Sequence, residues 1–129
     1  MGKKDEFSDL TEKIIAACFD VHNELGPGFV EKVYVNALKV ALEERLLKNE
    51  AEKEFNVKFH NSPAGQFRAD MVIENCVIIE IKAIEGYIPK VFESQVISYL
   101  KSSGLKVGLL VNFGNRSCEI RRLLNPNFQ

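Results

Sequence analysis

The chain has 129 residues, 17 Lys and Arg against 18 Asp and Glu, and 46% hydrophobic side chains. That is enough apolar material for one globular core and too little length for a two-domain enzyme. A domain of this size buries about two-thirds of its unfolded surface, so neither disulfides nor structural zinc is required. Cys18, Cys76 and Cys118 are odd in number, far apart and outside any Cys-x-x-Cys or Cys/His cluster, and are expected to be reduced core residues. The formal net charge of −1 argues against an indiscriminate nucleic-acid coat, because such affinity comes mostly from neutralising phosphates. Residues 1–60 hold 9 basic and 12 acidic side chains and residues 61–129 hold 8 and 6, so any polyanion site is expected in the second half.

No apolar run approaches the ~20 residues of a membrane span, and the start MGKKDEFSDL is polar. Glu6 stands where a myristoylation signal requires Ser or Thr. A cytoplasmic protein with no membrane contact is expected.

In chain order, Leu10, Ile14, Cys18, Val21 and Leu25 recur at helical spacing, with Ser8 or Asp9 as cap, and Gly26-Pro27-Gly28 ends this helix. A second helix is predicted from about Val30 to Lys48, with Val30, Val33, Tyr34, Ala37, Leu38, Ala41 and Leu42 as its apolar stripe. The period then changes to two. Phe55, Val57 and Phe59 alternate with polar residues before a turn at Asn61–Gly65, and Phe67–Ile73 and Val77–Ala83 read as two more strands. Pro89 opens a third helix with Phe92, Val96, Tyr99 and Leu100 on one face, which Gly104 closes. Val107–Phe113 is a buried-strand run, and Cys118–Leu124 a last strand. The order ααβββαββ makes the strands flanking the third helix parallel, and predicts a mixed sheet covered by helices.

The hairpin around Glu74-Asn75 decides which side chains meet. A two-residue turn sets Asp70 opposite Ile79 and mixes charged and apolar groups on both faces. A three-residue loop, Glu74-Asn75-Cys76, sets Asp70 opposite Glu80 and Arg68 opposite Lys82. One face then reads Phe67, Ala69, Met71, Ile73, Val77, Ile79, Ile81, Ala83, wholly apolar. The hydrophobic pattern selects this second register. Asp70 facing Glu80 is repulsive unless a cation, from Arg68 and Lys82 or from a metal, lies between them. A salt-bridge network on a solvated face would account for these charges. Against it, Val77–Ala83 has the hydrophobic density of a central strand, where an ionised Glu and Lys are costly.

Glu31 continues the edge of the second helix's apolar stripe, where the helix dipole also welcomes an acid. Gln95 lies one turn before Tyr99 on the third helix. His22 and His60 have no ligand-like spacing, and the chain contains no GxSxG, Walker loop or GxGxxG after a strand.

These residues, taken together, resemble a known family. Gly28-Phe-Val-Glu31-Lys-Val-Tyr34 matches the motif of the GxxExxY proteins, small members of the PD-(D/E)XK nuclease superfamily. It is preceded by Val21–Gly28 and followed in order by Phe67-Arg68-Ala69-Asp70, Glu80-Ile81-Lys82-Ala83, Gln95–Leu100 and Gly108–Gly114, so that the match spans about residues 10–125. The resemblance implies an α/β, restriction-endonuclease-like fold with an αβββαβ core, occupying residues 1–129 as a single domain. It implies that Asp70 and Glu80 are metal-binding carboxylates, that the Ile81 carbonyl is a further ligand and that Glu31 joins the metal shell. Lys82 is then the signature lysine, and Gln95 with Tyr99 resembles the QxxxY element of the related exonuclease branch. Ala69 replaces the superfamily's Pro, as is common in GxxExxY proteins.

Hard oxygen donors suit Mg²⁺ or Mn²⁺. The expected function is metal-dependent hydrolysis of phosphodiester bonds in DNA, less favoured in RNA. The competing expectation is a catalytically silent nuclease-like module that binds nucleic acid or protein, because a fold does not fix function; the net charge favours it. A third reading, a structural protein with a buried ion-pair network, predicts that replacing Asp70 and Lys82 together by apolar residues costs little stability. Arg68, Lys90, Lys101, Arg116, Arg121 and Arg122 are the available basic contacts for DNA. So few cations point to weak binding alone, or to help from a homodimer or protein partner.

Overall fold

The computed structural model describes residues 7–127. Helices α1 (Ser8–Leu25) and α2 (Glu31–Glu44) precede strands β1 (Asn49–Phe59), β2 (Ser62–Ile73) and β3 (Val77–Lys82). Helix α3 (Val91–Ser103) then crosses to β4 (Val107–Asn112), and β5 (Glu119–Leu124) ends the fold. The strands form one sheet in the order β1-β2-β3-β4-β5. β3 and β4 are parallel and every other neighbouring pair is antiparallel, as a helical crossover between β3 and β4 requires.

Alternation along the strands divides the core. Met71, Ile73, Ile79, Ile81, Leu109 and Val111 face α1 and α2, packing with Ile14, Cys18, Tyr34, Leu38 and Leu42. Val72, Ile78 and Leu110 face α3, packing with Val96 and Leu100. Each of β3 and β4 is thus covered on both sides, which is why their sequences are nearly unbroken apolar runs. Cys18 is buried, Cys76 and Cys118 half-buried, and all three are free thiols; burial pushes the Cys118 thiol up to about 11.

Several boundaries move from their predicted places. The first helix is capped by Phe7, with no side-chain cap, and Ser8 is its first residue. The second ends at Glu44 rather than Lys48. Leu46 adopts a left-handed φ of 59°, and Leu47 N–H donates back to Leu42 O at 3.0 Å, so the buried Leu47 closes the helix instead of continuing it. Val30 is 71% exposed, standing ahead of the helix rather than in its stripe. β1 begins at Asn49, before the apolar alternation at Phe55, because an edge strand takes its extent from the partner it pairs with.

The hairpin adopts the three-residue loop. Glu74 and Asn75 have φ of 53° and 54°, Cys76 N–H donates to Ile73 O at 2.9 Å, and Ile73 pairs with Val77, Val72 with Ile78 and Met71 with Ile79. The expected wholly apolar face, however, breaks at Asp70. Ala69 belongs to the α3-side cluster, and Phe67 stacks on Tyr99 of α3 with centroids 4.1 Å apart. The cause is local. Glu52, opposite Asp70, has a φ of 54° and drops out of a ladder that otherwise joins Ala51 to Met71 and Lys53 to Ala69.

Candidate active site

The β2–β3 ladder stops one step short of Asp70 and Glu80. At that step the side chains take over: Asp70 N–H donates to Glu80 Oε2 at 2.7 Å, and Ile81 N–H donates to Asp70 Oδ2 at 2.8 Å. Glu80 is 5% exposed and Asp70 half-buried. The two carboxyls are therefore held side by side, where their charges repel. Burial, followed by repulsion from Asp70, pushes Glu80 up to about 8. Burial likewise raises Asp70, opposed by the Ile81 N–H and by the Lys82 charge.

Arg68 does not lie between the acids; it pairs with Glu54 of β1 at 3.2 Å. Lys82 ends β3, with its ammonium 4.2 Å from the centroid of Phe92 on α3, a cation–π contact that holds it on the α3 side. Tyr99 is raised by burial and then by the charges of Glu80 and Asp70, which places it within their field. Gln95 shares a helix face with Phe92 and Tyr99 by its spacing of three and four residues, and its Oε1 is buried without a hydrogen-bond partner. Glu31 is exposed at the start of α2, and its charge is felt at Glu80. Asp70, Glu80, Lys82 and Tyr99 are therefore brought into mutual electrostatic contact, while Glu31 stands further out. Among the described residues, no group of three or more His, Cys, Asp and Glu side chains is gathered closely enough to hold a metal ion.

The remaining basic residues divide. Arg121 is engaged by Glu93 and Glu119, whereas Lys90, Lys101 and Arg116 are exposed. His22 is a packing residue, stacked on Phe113 and hydrogen-bonded through Nε2 to Asn115 O at 2.8 Å. His60 is exposed at the β1–β2 turn.

Four further residues position the site through contacts that no charge pattern announces. Tyr34, buried and stacked on Phe113 at 4.6 Å, donates its hydroxyl to Gly26 O at 2.6 Å and accepts Phe29 N–H at 3.2 Å. It thereby pins the loop that leads into Glu31. Gly28, with φ of 117°, gives that loop a conformation other residues rarely adopt. Asn112, fully buried, donates to Ile84 O and accepts Ile84 N–H, both at 2.9 Å, while Asn115 does the same for Gly86 at 2.9 and 2.7 Å. Two asparagines thus fix the segment after Lys82. A buried Asn at the end of an apolar strand was the available signal.

A mixed sheet flanked by helices, with paired acids and a lysine at the end of a central strand, describes a nuclease-like α/β protein. Residues 8–123 match the PD-(D/E)XK nuclease superfamily, and the chain belongs to it. Among solved structures, one described as the crystal structure of SSO0001 is similar to this chain with a TM-score of 0.60 and 20% identity. The alignment covers 75% of this chain and 50% of that one, so the chain spans about half the length of that relative. No curated protein matches. No helix among the described residues is long and apolar enough to cross a membrane.

Proposed function

We propose that this chain is a single nuclease-like domain of the GxxExxY type that hydrolyses phosphodiester bonds, DNA before RNA, with Mg²⁺ or Mn²⁺. The observation that carries this reading is the Asp70–Glu80 pair: a buried and a half-buried acid are held side by side by main-chain donors, where a hard cation would relieve their repulsion. Each commits one oxygen to a main-chain amide, leaving Asp70 Oδ1, Glu80 Oε1 and the Ile81 carbonyl to hold the ion. Glu31 would reach it through solvent. When bound, such an ion polarises the phosphodiester and lowers the pKa of a water.

The protein's own residues have separate tasks. Asp70 and Glu80 are oriented before any ligand arrives, because main-chain donors fix their carboxylates. Lys82 brings its ammonium near them, suited to a developing phosphorane charge. Gln95 Oε1 is a buried acceptor suited to a water or substrate donor, and Tyr99 offers a neutral hydroxyl because burial and the nearby acids keep it protonated. A cytoplasmic setting and a homodimer or protein partner that adds cations accompany this reading.

The test is calorimetric titration of Mn²⁺ into wild type, Asp70→Asn and Glu80→Gln, followed by incubation with single-stranded and duplex DNA and with RNA. Site-specific binding lost in both variants, with cleavage lost in parallel, is the expected result. A wild type that binds no Mn²⁺ and cleaves nothing would shift the reading to the silent binding module that the net charge of −1 favours.

A further inference from the structure

Immediately past Lys82 the chain enters the wall of a cavity of about 490 Å³, within the roughly 300–1,000 Å³ range of small-ligand sites. Neither acid lines it. Its walls are Gly28 and Phe29 before α2, Ala83 and Glu85 after β3, and Asn115 and Arg116 after β4. Two of these segments run directly into site residues: Phe29 is two positions before Glu31, and Ala83 follows Lys82. The cavity is therefore walled by the segments that continue into Glu31 and Lys82.

All three walls are fixed. Tyr34 clamps the first through Gly26 and Phe29. Asn112 and Asn115 clamp the second at Ile84 and Gly86. His22 holds the third through Asn115 O, and Gly114 leaves no room for a side chain, since a Cβ there would lie 2.3 Å from Ile84 N. The pocket is formed before ligand binds, which removes an ordering cost.

Its chemistry is also specific. Glu85 and Arg116 bring opposite charges, so the cavity does not favour a bare phosphate. Phe29 is 48% exposed and T-shaped to Tyr34, with centroids 6.1 Å apart at 73°, so a planar ligand can reach its ring. A flat, neutral, hydrogen-bonding body with a phosphate attached fits: the ring meets Phe29 and the phosphate meets Arg116.

We propose that this cavity receives an unpaired nucleobase next to the phosphodiester held at the acid pair, so that the preferred substrate is a single strand or an unpaired end. The inference rests on the nuclease reading above and deepens it. Within a duplex both faces of a base are already stacked, and freeing one costs a few kcal/mol, whereas an unpaired base stacks on an aromatic without that cost.

The test is fluorescence anisotropy of a labelled mixed-sequence 12-mer, single-stranded and as a blunt duplex, in Ca²⁺, with wild type, Phe29→Ala, Phe29→Trp and Arg116→Ala. The wild type is expected to prefer the single strand. Phe29→Ala should weaken single-strand binding by about 5- to 100-fold with little change for the duplex, and Phe29→Trp should preserve it. Arg116→Ala should lower the salt dependence by about one phosphate contact for the single strand. Equal binding of the single strand by Phe29→Ala and wild type overturns the pocket alone, provided wild type still binds nucleic acid and Mn²⁺. A wild type that binds neither oligonucleotide overturns the pocket, and failure to bind Mn²⁺ as well overturns the nuclease reading beneath it.

Discussion

Asp70 and Glu80 are each held through the other's strand: the Asp70 N–H donates to Glu80 Oε2 at 2.7 Å, and the N–H of Ile81, next to Glu80, donates to Asp70 Oδ2 at 2.8 Å. Side chains thus complete a ladder that the backbones leave at Met71 and Ile79. The acids are structural acceptors as well as candidate ligands, and that double role governs how variants should be chosen.

Asp70→Asn keeps an oxygen for the Ile81 N–H, whereas Asp70→Ala leaves a buried donor unsatisfied, at about 1–3 kcal/mol. Urea melts of the two metal-free variants should differ by about that amount, with the alanine protein less stable, while both lose Mn²⁺ affinity. Equal melts would mean that the hydrogen bond contributes little.

Stability of the metal-free protein should depend on pH through Glu80. Its carboxyl is raised from an ordinary 4.5 to about 8 by burial and by Asp70, so between those values the folded state holds a proton that the unfolded state has released. Stability from this group is therefore present at low pH and lost as pH rises from about 4.5 through about 8. Thermal melts from pH 5 to 8.5 should show a fall that Glu80→Gln flattens; an identical slope in the variant would refute the attribution.

Tyr34→Phe should cost about 1–2 kcal/mol, because the Gly26 carbonyl loses its donor and the Phe29 amide its acceptor while the ring still stacks on Phe113. Amide exchange measured by NMR should accelerate at Phe29 and stay unchanged at Leu38 in the middle of α2. Uniform acceleration would point to global destabilisation rather than release of the loop.

Gly114→Ala should be among the costliest small substitutions in the chain. The added Cβ would lie 2.3 to 2.5 Å from backbone atoms of Ile84, which cannot rotate away as a side-chain tip would. Destabilisation of about 3 kcal/mol or more is expected from chemical melts. A loss under about 1 kcal/mol would mean that the segment after Lys82 moves easily, and that its asparagine clamps are weak.

The element order, the parallel β3–β4 pair and the register opposing Asp70 to Glu80 were legible in the sequence, because each follows from short-range periodicity. Two of the signals are especially direct. Val77–Ile81 with Val107–Val111 read as strands covered on both faces, and a three-residue loop is the register that keeps apolar residues together. The ends of elements were less legible. Leu46 reverses the chain after α2 with a conformation that no motif announces, and β1 extends to Asn49 only because β2 is there to pair with it.

The candidate site divides in the same way. Local composition singled out Asp70, Glu80 and Lys82, since charges in apolar surroundings stand out along one strand, whereas Gln95 and Tyr99 entered through the resemblance to the QxxxY element. Only the tertiary structure decided that Arg68 turns to Glu54, that Lys82 rests over Phe92, and that Glu31 stays exposed at the start of α2. Only it revealed Tyr34, Asn112 and Asn115 as clamps, because their partners lie on loops the sequence could not place beside them. Periodicity reports which face of an element is buried. Contacts between loops depend on where separate elements end and meet, and that is a property of the packed whole.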